Sequence, residues 1–286
     1  MLTEHAPLAA IFAQGLIDAG WDIGYDLAII RRTGEATGDR WGAAARELRA
    51  QAVDVILAGD HEAARAARAT ADVTPIVAVD VEHDPILSGF ARTLARPGGN
   101  LTGLFCDFGD AMSQLMRALR EALPTLRPLV ALTDGETTQV QLHALREAAV
   151  AVGFDVDTLA WVTGQADGLV DRVAASRAGL LVLSSPGLAA DAARLAKRAA
   201  RRKVPSAGAF IRYAQAGGLL ARGPSLPDAF RRAAAMVDRV LRGARAADIP
   251  IERPPRFELV LNAKAAATLE VMLPANLVSN ADYVLR

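Results

Sequence analysis

The chain has 286 residues, a hydrophobic fraction of 52% and a mean hydropathy of +0.20. That length exceeds one ordinary compact core, so two lobes are expected. The apolar content excludes a disordered chain, which could not bury enough surface to offset its ordering entropy. Lys+Arg and Asp+Glu each total 32, for a formal net charge of zero; a nucleic-acid binder carries a basic surplus or stripe, so no nucleic-acid partner is expected.

The single cysteine, Cys106, excludes a disulfide within the chain and leaves the compartment open. No apolar run reaches the roughly 18 residues that a membrane span needs, so no membrane insertion is expected. The first residues, MLTEHAPLAAIFAQGL, lack the basic and apolar regions of a secretory signal.

In chain order, residues 7–20 read as a helix ended by Gly20, and Asp26 to Arg31 as a strand. A helix over 40–51 leads to the apolar run VDVILAG at 53–59; Glu62 to Thr70 is helical, and PIVAVD at 75–80 is the next strand. Asp84-Pro85 predicts another helix, with Asp as N-cap and Pro at the first helical position, running to the PGG at 97–99. NLTGLF at 100–105 follows as a strand, with Asn100 and Thr102 expected to tie down the PGG turn. Short continuous apolar runs separated by helices predict a parallel sheet buried on both faces.

The second half repeats the cadence. LVALTD (129–134) is a strand, 138–152 a helix ended by Gly153, and FDVDTLAW (154–161) a strand. A helix near 167–177, the strand GLLVLSS (179–185), a helix over 188–202 and VPSAGAF (204–210) complete it. The halves match in detail: helix end, glycine, aromatic, aspartate and strand occur around Gly20-Trp21-Asp22 and again around Gly153-Phe154-Asp155. Two similar α/β lobes are therefore expected, each a doubly wound parallel sheet. The second repeat opens with a strand that the first lacks. A chain start placed late and a sheet one strand short both account for this.

Catalytic signatures are missing. His5, His61, His83 and His143 show no metal-ligand spacing, and no CxxC, HExxH, G-x-S-x-G, Walker A or G-x-G-x-x-G pattern is present. Neither a metal, a cofactor nor catalysis is expected, which favours binding. The arginines at 65 and 68, and at 194, 198, 201 and 202, read as solvated helix faces.

Several stretches resemble the substrate-binding proteins of ABC transporters, the group that includes tryptophan- and phenylalanine-binding proteins. These are FAQGLIDAGW (12–21), VDVILAG (53–59), TPIVAVDVEHDPILSGFARTLARPGGNLTGL (74–104), YAQAGGLLARGPSL (213–226) and FELVLNAKAAATLEVMLPANLVSNADYVLR (257–286). The PGGNLTG and AGGLL-x-x-GP blocks are the more specific.

The resemblance implies a type I periplasmic-binding-protein-like fold, with two lobes and a ligand cleft between them. It places 1–105 and 219–245 in lobe 1, and 106–218 and 246–286 in lobe 2. In the helix LPDAFRRAAAMVDRVLRG (226–243), Phe230, Ala234, Val237 and Leu241 share one face, as docking on a sheet demands. The resemblance also implies a small-molecule ligand, an ABC permease as partner and a periplasmic location. The family's usual signal peptide and opening strand are not read here, and VEHDPIL and AGDHEAA depart from its pattern, so export and ligand identity stay open. A cytosolic sensor of the same fold is the alternative function, although no helix-turn-helix or basic segment precedes the lobe.

In open parallel sheets, ligands bind beyond the carboxyl ends of the strands. The candidates are Gly59, Asp60 and His61; Val81, Glu82, His83 and Asp84; Thr133 and Asp134; Ser184, Ser185 and Pro186; and Phe210. Each also has a structural role to weigh, Asp84 as an N-cap, the serines as a helix start and Phe210 as core. Asp60, Glu82 and Asp134 are candidates to pair with a ligand ammonium, while hydroxyls and helix N-termini hold a carboxylate.

Overall fold

A computed structural model describes residues 1–3, 6–34, 41–70, 73–106, 108–135, 137–162 and 164–286; His5 lies outside these. In chain order the elements are α1 (Ala6–Asp18), α2 (Gly42–Ala50), β1 (Ile56–Ala58), α3 (His61–Thr70), β2 (Ile76–Asp80), β3 (Leu101–Phe105) and α4 (Phe108–Ala122). Then come β4 (Pro128–Thr133), α5 (Gln139–Val152), β5 (Asp155–Ala160), α6 (Ala166–Ala175), β6 (Gly179–Val182), α7 (Pro186–Ala190) and α8 (Ala192–Arg201). The last part holds β7 (Ser206–Gly208), α9 (Arg212–Gln215), β8 (Leu220–Pro224), α10 (Leu226–Leu241), a 3-10 turn (Ala246–Asp248), β9 (Phe257–Asn262), α11 (Ala263–Thr268), α12 (Ala275–Ser279) and β10 (Tyr283–Leu285).

The chain divides into two compact units, Met1–Asp107 with Ser225–Arg256, and Phe108–Pro224 with Phe257–Arg286. Unit 1 is built on a parallel sheet of order β1-β2-β3. Every residue of these strands is buried, and alternate side chains enter opposite layers, as the pleat requires. Ile56, Ile76 and Leu101 join Trp41, Leu48 and Ala64 from α2, α3 and the residue before α2. Leu57, Val77 and Leu104 join Phe12 and Leu16 of α1 and Phe230 and Val237 of α10. Ala234 is buried in that layer as well, and Leu241 packs against its border, so the face expected of the 226–243 helix is the one that docks.

The opening strand is present as a stub. Leu2 bridges in parallel both to Arg32 and to Ala58; its N–H donates to the Leu57 carbonyl at 2.8 Å, and its carbonyl accepts from Gly59 N–H at 2.9 Å. The stretch 26–31, expected as a strand, forms no ladder, since a stub of this length gives it only the Leu2–Arg32 bridge. The helix expected from Asp84-Pro85 is also absent: residues 85–89 form turns. Asp84 Oδ1 does accept from the N–H groups of Ile86 and Leu87 at 2.7 and 2.9 Å, but Gly89 takes φ +71 and ends the helical path.

Unit 2 holds a seven-stranded sheet of order β10-β9-β8-β7-β6-β4-β5, parallel except for the β8–β9 pair. On one face, Leu180 and Val182 of β6 meet Val170 and Val173 of α6 and Leu195 and Ala199 of α8. The 188–202 helix divides at Asp191, and α4, which the sequence reading passed over, buries Met112, Leu115 and Leu119. Residues 220–224, expected in the first lobe, belong here as β8 because they are hydrogen-bonded between β7 and β9. Residues 246–256, expected in the second lobe, belong to unit 1, where Glu252 bridges Leu104 and Ile249 is core. The arginine face on α8 is paired with α6, Arg194 with Asp167 and both Arg198 and Arg202 with Asp171. Exposed pairs of this kind contribute little stability.

The two specific sequence blocks have structural causes. Gly103 in β3 adopts φ +146, and a Cβ there would lie 2.0 Å from the Ala78 carbonyl oxygen. Asn100 Nδ2 donates to the Thr74 carbonyl, and Thr102 Oγ1 to the Ile249 carbonyl at 2.8 Å, so both tie segments that neighbour β3. In AGGLL, Gly217 takes φ +120, and a Cβ on Gly218 would meet the Tyr213 ring at 2.4 Å. Gly103→Ala is expected to cost about 3 kcal/mol or more, from combined backbone strain and overlap. Urea unfolding of the variant against the parent chain measures it.

Candidate functional site

Parallel sheets of this topology place their loops at the carboxyl ends of the strands, where strand order reverses. Unit 2 reverses at β4, which lies between β5 and β6. Unit 1 does so at Leu2, which lies between Arg32 and β1. The expected site residues follow these two points.

In unit 1, Gly59 leaves β1 beside the stub. A Cβ there would stand 3.0 Å from the Thr3 side chain, so any larger residue would have to push Thr3 aside. Asp60 Oδ1 accepts from Ala63 N–H at 2.7 Å and caps α3. His61 is the first residue of α3. The N–H of Glu82 donates to Asp80 Oδ1 at 3.2 Å, and Val81 packs on the core. Asp84 is occupied with its own turn.

Asp80, the last residue of β2, was missed by sequence reasoning, yet it organises this edge. It is 2% exposed. Its Oδ2 lies 2.6 Å from His61 Nδ1, and its Oδ1 lies 3.0 Å from His83 Nδ1. The two imidazoles stack at 3.7 Å between centroids, and Phe90 leans on His61 at 5.3 Å. Burial pushes the Asp80 carboxyl up, but the hydrogen bonds from His61 and His83, with their charge, outweigh it and hold the group below its ordinary range. Glu62, hydrogen-bonded to Arg65, is likewise held down, with the two imidazoles adding to the pull. A signal for Asp80 was present: a lone carboxylate ending an otherwise apolar strand needs a partner at that end.

In unit 2, Thr133 closes β4, and its carbonyl accepts from Trp161 N–H at 2.6 Å. Asp134 Oδ1 accepts from both the N–H and the hydroxyl of Thr137, at 2.9 and 3.0 Å, and Oδ2 accepts from Ser185 Oγ. Three acceptor directions of this carboxylate are thus engaged within the unit. Ser185 also caps α7 by accepting from Leu188 N–H at 3.1 Å, with Pro186 at the first helical position. Ser184 is fixed through its backbone by the buried Gln141, which both donates to its carbonyl and accepts from its N–H. Phe210 follows β7, half-buried, edge-on to Tyr213 at 6.0 Å.

Trp161, at the end of β5, was also missed. Its ring lies against Gly187, where a Cβ would come within 2.9 Å of the ring and 3.0 Å of Asp134 Oδ2. Its indole N–H donates to Asp191 Oδ2 at 3.0 Å. The structure therefore joins Thr133, Asp134, Ser185 and Trp161 around the end of β4, and gathers Gly59, Asp60, His61 and Glu82 around the ends of β1 and β2.

A family model described as "ABC transporter substrate binding protein" matches residues 2–285. Comparison with curated protein sequences gives no match. Among solved structures, an ABC domain in complex with L-Trp from Streptococcus pneumonia superposes with a TM-score of 0.89 at 20% identity, over 99% of this chain and 97% of that one. A conserved domain protein from Vibrio cholerae gives 0.88 at 21%, with the same coverage. The ligand-free, open structure of CD0873 from Clostridium difficile, a substrate binding protein with adhesive properties, gives 0.77 at 22%, again with 99% and 97% covered. At these identities the structural likeness is one of fold.

Ser185→Ala removes both the α7 cap and a donor to Asp134. It is expected to lower stability by about 1–2 kcal/mol in urea unfolding.

Proposed function

The chain belongs to the ABC transporter substrate binding protein family, and we propose that it is the solute receptor of an importer, taking up an amino acid or a related small organic compound. The observation that supports this reading is the pair of topological switch points, at Leu2 and at β4, each fringed by carboxylates, hydroxyls or imidazoles. Such ends are where open α/β sheets bind small molecules. The L-Trp carried by the Streptococcus structure supports an amino acid as the class of solute.

On this reading Asp60 and Glu82 supply negative charge for an ammonium group, with Gly59 and His61 beside them. Thr133 and Ser184 offer hydroxyls, Ser185, whose proton goes to Asp134, offers a remaining lone pair, and Phe210 offers an aromatic face. Asp134, whose oxygens serve Thr137 and Ser185, positions those hydroxyls and does not take the ammonium itself. The partner is an ABC permease and the location is periplasmic. No helix among the described residues is long and apolar enough to cross a membrane.

A thermal-shift screen of amino acids and small organic acids tests the proposal. A ligand of this receptor stabilises by RT ln(1 + [L]/Kd), about 2.7 kcal/mol at a hundredfold excess over Kd, and is recovered chemically unchanged. No shift with any member of the screen, or conversion of the ligand, would falsify the receptor reading. For the ammonium contacts, Asp60→Asn retains the α3 cap. Combined with Glu82→Gln it is expected to weaken binding about 10- to 100-fold in calorimetry. Unchanged affinity removes those two residues from the site.

A further inference from the structure

The histidine spacing in the sequence carries no ligand pattern, yet folding brings His61, Asp80 and His83 together so that one donor atom from each lies within 4.8 Å of the others. From this convergence we infer that unit 1 contains a site for a divalent transition-metal cation, held by the Nδ1 atoms of His61 and His83 and by the Asp80 carboxylate.

The spacing suits shared coordination. Nδ1 of His61 and Nδ1 of His83 stand 2.6 and 3.0 Å from the two carboxylate oxygens. Neighbouring ligands around an ion with bonds of about 2.1 Å are separated by about 3 Å at right angles, so the His83 contact already has that spacing and the His61 contact opens by a few tenths of an ångström on binding. Both rings present Nδ1 toward the same carboxylate; they stack 22° apart at 3.7 Å, so binding one ion requires the rings to tilt until both in-plane lone pairs converge. In a neutral ring, moving the proton from Nδ1 to Nε2 leaves the Nδ1 lone pair free for the ion.

The support around these groups is equally specific. Asp80 is fixed at the end of β2, and the N–H of Glu82 orients its Oδ1, the kind of outer contact that aims a metal-binding carboxylate. His61 is held at the start of α3, and Phe90 and Phe105 line up behind its ring. The Asp80 side chain is 1% exposed, whereas those of His61 and His83 are each 19% exposed. The carboxylate is therefore dry, while the imidazoles leave a path for an ion and open coordination positions for water. Glu62, beside His61, adds negative charge near both rings. Two imidazoles and one carboxylate select Zn²⁺, Co²⁺, Ni²⁺ or Cu²⁺ over Mg²⁺ or Ca²⁺, which prefer all-oxygen shells.

The metal site shares His61 with the proposed solute contacts, and it is tested without a solute. The full chain, free of any affinity tag and stripped with a chelator, is titrated with Co²⁺ and followed by its visible absorption. Binding of one ion per chain, displaced by Zn²⁺, is expected. His61→Gln and His83→Gln are each expected to weaken Co²⁺ by about tenfold or more, whereas His143→Gln, on the exposed face of α5, leaves it unchanged. Circular dichroism confirms that each variant is folded; His83→Gln, in a turn, decides the matter if His61→Gln does not fold. An absence of visible absorption up to about 1 mM Co²⁺, or equal affinity in the parent and the His83 variant, overturns the site and leaves a hydrogen-bonded triad.

Discussion

A parallel sheet covered on both faces gives its strands no solvent side, so a polar group within a strand must be paired, as Thr102 is with the Ile249 carbonyl, and a charged one is best placed at a strand end. β1, β2 and β3 are buried at every position, and the one carboxylate among them, Asp80, is the last residue of β2. The same constraint acts in unit 2, where β6 is wholly apolar and Ser184 and Ser185 follow it. Burial of the strands thereby sorts the chain into an inert framework and a reactive fringe. The candidate functions all arise on that fringe.

Within the fringe, internal bonding separates scaffold from contact. Asp84 and Asp134 both lie in loops after strands, but Asp84 is spent on the N–H groups of Ile86 and Leu87, and Asp134 on Thr137 and Ser185. Asp80 is spent on two imidazoles, which remain partly open to solvent. A carboxylate whose partners are backbone amides fixes a loop. A carboxylate whose partners are titratable rings presents those rings outward.

Much of the fold was legible because its signals are local. Apolar runs such as VDVILAG and PIVAVD found β1 and β2, Gly153 in a left-handed conformation ended α5 as read, and the glycine-rich blocks mark places where backbone or ring comes too close for a Cβ. Signals that depend on distant partners misled. Asp84-Pro85 looks like a helix start, and only Gly89 shows that the turn does not continue. The 26–31 stretch has strand composition but lacks a neighbour of sufficient length. β8 is short and mostly buried, with Arg222 at its centre, and its composition does not say which sheet takes it. The candidate site divided similarly: the rule of strand ends offered Asp60, His61, Glu82 and Ser185 as candidates, whereas the union of His61, Asp80 and His83 comes from two separate strand ends and leaves no pattern in the order of residues.

The antiparallel pairing of β8 with β9 sets Pro224 opposite Phe257, so the excursion 225–256 leaves and returns at one place, where Ser225 N–H also donates to the Arg256 carbonyl. That excursion carries α10, whose Phe230 and Val237 seal one layer of unit 1. During synthesis the N-terminal half therefore emerges with that layer uncovered and must wait until residues 108–224 have also left the ribosome. Unit 1, begun first, is thus closed only once residues 225–256 have emerged, shortly before 257–286 complete unit 2, so the chain is most exposed to aggregation and proteolysis while its C-terminal third is still being translated.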